Sequence, residues 1–385
     1  MQCGKSINYA YNPVTVVIEL GKKEQERVIL VGLARSSRDR QHVTESLTEL
    51  GELAHSAEAT VVGQRIQTRK KPDPAYFIGR GVVDELSELI AETQANSIIF
   101  DDSLSPAQQR NLEKALKIKV IDRPILILDI FASRARTSAA RLQVELAQLE
   151  YTLPRLTGAW VHFSRQYGGI GSKGPGETQL EIDRRQVRTK IAHLKQRLSR
   201  LDRQRATQRK SRQGLFKVSL VGYTNAGKST LFNKLTKGEV RTANMLFTTL
   251  DSTTRVMSSG YPCRVVFSDT VGFIRKLPHQ LVESFKSTLE EVVLADMLVH
   301  VVDCSDPKAQ EHIDQTHDVL AEIGADQIPE ILVYNKIDRC PDYHPGSING
   351  SRAYAISAQE DLGLAALQAE IIAASNQFIR QKAVS

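Results

Sequence analysis

Apolar positions along the 385-residue chain follow two rhythms. In the first third, short apolar runs at 27–34 (RVILVGLA), 60–68, 97–101 and 119–121 alternate with stretches of helical spacing at about 37–56, 81–95 and 105–116. Strands alternating with amphipathic helices predict a small α/β layer domain over residues 1–132. The second rhythm is purely helical. Leu142, Leu146, Leu149 and Leu153 recur one helical turn apart, and Val187, Ile191, Leu194, Leu198 and Leu201 follow at spacings of 4, 3, 4 and 3. Each set puts one apolar seam on a helix, and two facing seams predict a long helical hairpin over residues 133–212. Strand-like runs return in residues 213–385: Phe216 to Val221, RVVFSD ending at Asp269, and Ile331 to Tyr334, with a last helix at about 361–382.

Composition narrows the class. Hydrophobic residues at 41% and charged residues at 25% fit a globular chain and exclude a disordered or collagen-like one. No apolar run approaches the roughly 20 residues that cross a bilayer, and Met1 to Ala10 lacks a signal-peptide core, so a cytoplasmic protein is expected. Cys3, Cys263, Cys304 and Cys340 lie far apart without a CxxC pair, and the nine histidines show no i, i+4 pattern. Neither a zinc cage nor a disulfide framework is expected, and the cysteines read as small buried residues.

The net charge of +7 is concentrated in one segment. Arg184 to Arg212 carries twelve Lys or Arg against Asp202, a local charge of +11 that leaves the rest of the chain at −4. With so few acids, pairing along the helix cannot neutralise this face. A contact with a polyanion, RNA above all, is favoured over an ordinary solvated face. Asp101, Asp102 and Asp122 end strands and read as caps. GGIGSKGPGE at 168–177 contains Gly169, Gly171 and Gly174 in GxGxxG spacing, but a charged stretch follows it where a dinucleotide fold needs a packed helix. It reads as a hairpin tip, with Lys173 and Arg165 as phosphate contacts.

The strongest chemistry follows the basic segment. The strand ending at Val221 runs into Gly222, Tyr223, Thr224, Asn225, Ala226, Gly227, Lys228, Ser229 and Thr230, and then into a helical pattern. Strand, glycine turn and helix together are what a phosphate-cradling loop requires. Backbone N–H groups turn inward, the helix N-terminus favours an anion, Lys228 reaches the β- and γ-phosphates and Ser229 ligates Mg²⁺. Asp269, Thr270, Val271 and Gly272 end the next strand, which places Asp269 to hold Mg²⁺ and the Gly272 N–H beside the γ-phosphate. In Leu246 to Leu250 a threonine, Thr249 before Thr248, is positioned by order for Mg²⁺ and the γ-phosphate. Asn335, Lys336 and Asp338 follow an apolar strand, and the Asp338 carboxylate accepts from N1–H and the exocyclic amine of guanine, which adenine lacks. Ser357 and Ala358 supply backbone N–H groups for the guanine O6. Five motifs in this order over about 135 residues predict a Ras-like P-loop GTPase domain, with Lys228, Thr249 and Gly272 as the catalytic set. Phe273 stands where hydrolysing GTPases keep a glutamine, so slow intrinsic hydrolysis is expected. Asn225 resembles the asparagine of potassium-stimulated GTPases, which makes K⁺ a second candidate ion.

Taken together, RNLE (110–113), DRPILILDIFASRART (122–137), LQVELAQLEYTLPRL (142–156), GGIGSKGPGETQLEIDRR (168–185), GYTNAGKSTLFN and DTVGFI make the chain similar to HflX-type GTPases over nearly its whole length. The resemblance implies a protein of α/β class, with GTP as substrate and Mg²⁺ as cofactor, that binds the 50S subunit and its rRNA through the amino-terminal domain and hairpin. It also implies dissociation of stalled or hibernating ribosomes, and a monomer is expected. Gly79, Arg80, Gly81 and Val82 depart from the family's GKGK, so an ATP-related activity is not carried over. No further carboxy-terminal domain is expected. The competing readings are a ribosome-assembly or RNA-binding scaffold with slow, structural nucleotide turnover, and a tRNA-modification GTPase, which the hairpin disfavours.

The guanine reading generates a direct test. Asp338→Asn is expected to lower affinity for GTP and to admit xanthosine triphosphate, measured by competition binding; an unchanged base preference contradicts the assignment.

Overall fold

The computed structural model describes residues 26–157, 175–210, 214–238, 246–247, 253–257, 260–261, 263–276, 286–340 and 353–384. Most of the glycine-rich tip with Arg165 and Lys173, and Thr248, Thr249 and Leu250, lie outside them.

The first sheet is parallel, with strands β1 (Arg27–Ala34), β2 (Thr60–Thr68), β3 (Ser97–Phe100) and β4 (Lys119–Asp122) in the order β2-β1-β3-β4. A parallel strand is covered on both faces, and the β1 side chains from Val28 to Ala34 are accordingly buried. Helices α2 (Arg80–Thr93) and α3 (Pro106–Leu116) cover one face; α3 starts in a capping box formed by Ser105 and Gln108. Helix α1 (Arg40–Ser56) and the short-looped α4 (Arg123–Arg134) cover the other. Helix α4 is not among the predicted elements, because ILILDIF carries no clear period. Its sequence signals are the Asp122 carboxylate, which accepts from the Ile125 N–H at 3.2 Å, and Pro124 in its first turn.

The hairpin consists of α5 (Ser138–Thr152) and the 36-residue α6 (Pro175–Lys210), roughly 54 Å long at 1.5 Å per residue. The predicted seams meet: Leu142, Leu146 and Leu194 are buried against each other, flanked by Leu149, Ile191, Leu198 and Leu201. Leu153 falls in the turn that follows α5. Two expectations need correction. Helix α5 has a second apolar face, Ala140, Val144, Ala147 and Tyr151, which joins the core of the first layer. Lys190 and Lys195 are neutralised across the hairpin by Glu145 and Glu150, each pair 2.7 Å apart. Arg197, Arg200 and Arg203 remain exposed.

The second sheet comprises β5 (Phe216–Val221), β6 (Thr253–Met257), β7 (Val265–Asp269), β8 (Met297–Asp303), β9 (Glu330–Asn335) and β10 (Ala353–Ala355), in the order β10-β9-β8-β5-β7-β6. Only β6 runs antiparallel among these strands. Helices α7 (Lys228–Thr236) and α10 (Leu364–Val384) cover one face, α8 (Lys286–Val293) and α9 (Ala309–Glu322) the other. Cys304 is buried, whereas Cys263 and Cys340 are half-buried. Among the described residues no helix is long and apolar enough to cross a membrane.

The two layers share a core. Tyr223, Leu246, Phe247, Val271 and Ile274 join the cluster under α1, α4 and α5, and Phe247 meets Phe131 edge-on at 4.6 Å. At the joint, the Arg123 guanidinium is fully buried. It donates to Asp101 Oδ1 and Glu49 Oε1 at 3.0 Å, to the Ser46 carbonyl at 2.9 Å and to the Arg275 carbonyl at 3.1 Å. Lys276 Nζ adds bonds to Asp101 at 2.5 Å and Asp102 at 2.7 Å. Of the three strand-end aspartates, only Asp122 is a helix cap; Asp101 and Asp102 are joint residues. Burial alone would raise the Asp101 pKa, but Arg123 and then Lys276 hold it below its ordinary value.

Arg123→Ala leaves Asp101 and Glu49 without their buried partner and is expected to cost about 3–5 kcal/mol in denaturant unfolding of the full chain. A loss below about 1 kcal/mol would show that the joint is held by its apolar contacts alone.

Candidate active site

The turn from β5 into α7 is built from backbone conformations that few side chains adopt: φ is 136° at Gly222, 62° at Asn225 and 96° at Gly227. A Cβ on Gly222 would sit 2.2 Å from the Val301 carbonyl oxygen, so no larger residue passes between β5 and β8 there. The turn ends at the N-terminus of α7, where orphan N–H groups and the helix dipole favour an anion. Lys228 is buried, and its Nζ donates to the carbonyls of Gly222 at 3.0 Å and Tyr223 at 2.6 Å. Burial lowers its pKa to about 8, with Asp269 opposing the shift. The Ser229 hydroxyl donates to Asp269 Oδ2 at 2.7 Å. Ala226 is buried, Asn225 is exposed, and Thr230 is half-buried in the first turn of α7.

The segment after β7 folds onto this turn. Thr270 is turned into the sheet, its hydroxyl donating to the Leu220 carbonyl at 2.6 Å, and the Val271 side chain enters the shared core. The Phe273 N–H donates to Gly222 O at 3.1 Å, and the Thr224 N–H to Phe273 O at 2.8 Å. Gly272 lies so close that a Cβ would meet Thr224 Cα at 2.8 Å and Lys228 Nζ at 2.9 Å. The Phe273 ring is buried with Val221, Leu289, Val292 and Leu298. Phenylalanine at this position is therefore a core residue.

Asn335 is the clasp of the second half of the site. Its Nδ2 donates to Ala226 O and its Oδ1 accepts from the Ala358 N–H, both at 2.9 Å, joining the phosphate turn to the loop after β10. Lys336 Nζ lies 2.5 Å from Asp303 Oδ2, and Asp338 is exposed in the short helical turn Ile337–Arg339. The Ser357 N–H donates to Leu362 O at 3.0 Å, so a ligand oxygen meeting these two amides would share or displace existing bonds. Thr249 lies outside the described residues; the other nucleotide-site residues lie at strand ends, in the loops that follow them and in the first turn of α7, at the same edge of the second sheet.

Sequence reasoning missed the amino-terminal layer's part in this site. The Tyr223 hydroxyl donates to Glu49 Oε2 at 2.9 Å and accepts from the Arg275 N–H at 3.0 Å, while its ring stacks on His312 at 3.8 Å. Arg134 donates to the Leu246 carbonyl, and Arg275 pairs with Glu311. Beside the turn lies a cavity of about 320 Å³ whose α1 wall is Glu45, Glu49 and Glu52. Burial, then Glu49 and Asp306, raise the Glu52 pKa. The available signal was Arg123, a lone cation opening an apolar helix.

A triphosphate against Lys228 stabilises the ammonium, so an amine that titrates near 8 in the free protein takes up a proton on binding. Affinity is expected to be flat below about pH 8 and to fall by up to about tenfold per pH unit above it. Calorimetry in buffers of different ionisation heat checks this; no proton uptake at about pH 8.5 would remove Lys228 from the phosphate contacts.

Comparison with known proteins agrees with this geometry. Residues 44–132 match the family described as GTP-binding GTPase N-terminal, 134–212 the GTP-binding GTPase Middle Region, and 217–336 the 50S ribosome-binding GTPase. The GTPase HflX of Flavobacterium psychrophilum is 49% identical over 314 residues, 81% of this chain and 76% of that protein. That of Escherichia coli (strain K12) is 50% identical over 303 residues, 78% and 71% of the two chains. The GTPase HflX of Caldanaerobacter subterraneus is 47% identical over 346 residues, 89% and 79%. With its phosphate turn and its two preceding regions matched, and with relatives about half identical over most of its length, the chain belongs to the HflX family of ribosome-associated GTPases, binding guanine nucleotides and hydrolysing GTP.

Proposed function

We propose that the chain is a GTP-driven switch, acting as a cytoplasmic monomer, that engages the rRNA of the 50S subunit through its hairpin and dissociates or rescues stalled or hibernating ribosomes. In this reading residues 1–132, 133–212 and 213–385 are the amino-terminal α/β domain, the basic helical arm and the Ras-like GTPase domain. The observation that carries it is one contact path: Gly272 and Phe273 lie against the phosphate turn, and three residues on, Arg275 and Lys276 are bonded to the layer on which the arm is rooted.

Within the site, the backbone of Gly222 to Thr230 and Lys228 hold the phosphates. The Ser229 and Asp269 oxygens, 2.7 Å apart, fit a hard cation such as Mg²⁺, with Thr249 as a further ligand. When bound, Mg²⁺ would supply charge neutralisation to the phosphates. Gly272 offers its N–H to the γ-phosphate, and Asn335, Lys336, Asp338, Ser357 and Ala358 hold the base. Asn225 would hold a K⁺ ion beside the phosphates, as the loop's resemblance to potassium-stimulated GTPases implies. Here the Thr224 N–H is engaged by Phe273 O and the Lys228 ammonium by two carbonyls. A triphosphate competes for these donors. Binding therefore favours an arrangement in which residues 272–276 and the layer shift together. Phe273 orients no water, so the ribosome supplies the activation.

Sedimentation of the full chain with 50S subunits under GTP, GDP and a non-hydrolysable analogue tests the reading. Binding with triphosphate, release with GDP and ribosome-stimulated phosphate release are expected; equal binding under all three nucleotides overturns the switch, and absent stimulation favours the scaffold. Charge reversal of Arg197, Arg200 and Arg203 is expected to weaken association at least about tenfold at low salt and to flatten the salt slope by about 3.

A further inference from the structure

Two of the nine histidines scattered along the sequence, His300 and His317, meet in one place that the GTPase reading does not use. His300 stands in the middle of β8 on the face covered by α9 and is 1% exposed. Its strand neighbours on that face, Leu298 and Val302, belong to two separate apolar clusters, so the imidazole forms the polar break between them. Its Nδ1 lies 2.5 Å from Glu330 Oε1 at the start of β9. His317 reaches in from α9, its Nε2 3.0 and 3.2 Å from the two oxygens of the same carboxylate. The rings are 5.5 Å apart at 76°, and one ligand atom from each of the three residues lies within 4.8 Å of the others.

We propose that His300, His317 and Glu330 bind one divalent transition-metal ion of the Zn²⁺ class, stapling β8, α9 and β9 and leaving one coordination position to solvent. A tetrahedral zinc with bonds of roughly 2.0–2.2 Å holds its ligand atoms roughly 3.3 Å apart. The imidazole–carboxylate separations of 2.5 and 3.0–3.2 Å fall a little short of that value and all three ligand atoms lie within 4.8 Å of one another, so small side-chain rotations would open the set to the ion. Two imidazoles and one carboxylate suit Zn²⁺, Co²⁺ or Ni²⁺, whereas Mg²⁺ takes oxygen ligands. The set is open at its outer end, where His317 is 50% exposed, which gives an entry path. At its inner end, a Cβ on Gly222 would lie 3.3 Å from His300 Cδ2, so the ion would sit behind the phosphate turn. A second grouping, His42, Glu45 and Glu311, is a poor rival, because Glu45 pairs with Lys308 and Glu311 with Arg275.

The test uses the full chain, stripped with EDTA and held in excess Mg²⁺ and GDP so that the nucleotide site is occupied. Co²⁺ is titrated by visible absorption, with Zn²⁺ as competitor. One equivalent with the intense bands of four-coordinate Co²⁺, displaced by Zn²⁺ and not by Mg²⁺, is expected. His317→Ala and Glu330→Gln should each weaken binding at least about tenfold, while His42→Ala should not. GDP affinity and circular dichroism of each variant report that it is folded. Absence of these bands, or binding that survives both His317→Ala and Glu330→Gln in folded protein, overturns the site whatever the outcome of the ribosome experiments.

Discussion

Everything in this architecture turns on one buried guanidinium. Arg123 has five N–H groups and meets five acceptors: Asp101 Oδ1, Glu49 Oε1, the Arg275 carbonyl, and the Ser46 carbonyl and hydroxyl. Taking a charge out of water is costly unless geometry and partners are both complete, and here they are. The planar fork fixes direction as well as charge, which a lysine ammonium cannot do. One side chain thereby sets the position of α1, the end of β3 and the segment after Gly272 at once.

That arrangement makes the GTPase edge a composite of two layers. Tyr223 belongs to the phosphate turn, yet its hydroxyl is shared between Glu49 of α1 and the Arg275 N–H. The Arg275 backbone is thus held at both ends, its N–H through Tyr223 and its carbonyl by Arg123. Residues 273–275 cannot move against the turn without exchanging bonds with α1 and α4. A segment held this way can change position only by exchanging one bond set for another, which is the physical requirement of the proposed switch.

The features legible in the sequence were those written locally. The phosphate turn, the base motif and the leucine seams depend on spacing within one element or one loop, and spacing survives in a single chain. What stayed hidden depends on distant partners. Leu142 and Leu146 announced one face of α5, but Ala140, Val144 and Ala147 are too small to announce the other. Lys190 and Lys195 looked unneutralised because Glu145 and Glu150 lie on the other helix. Phe273 read as a missing glutamine; it is also a packed core ring, which composition could not reveal. His300, His317 and Glu330 are separated by whole elements of the fold.

The residue before Arg123 completes the chain of contacts. Asp122 caps α4 and accepts from the Leu104 N–H at 2.9 Å, and the Tyr151 hydroxyl at the end of α5 donates to it. Burial raises the Asp122 pKa, and these donors act against that shift. Arg155 then lies over the Tyr151 ring at 3.5 Å and donates to the Leu104 carbonyl at 2.8 Å, fastening the root of the arm. Neighbouring side chains at the β4–α4 junction therefore face opposite interfaces, Arg123 toward the nucleotide edge and Asp122 toward the hairpin. Both leave the same corner of the fold, so an unbroken run of side-chain contacts joins the Arg275 carbonyl to α5. Along the leucine seam α5 packs on α6, the helix that carries the exposed arginines, which is the contact route the proposed switch requires.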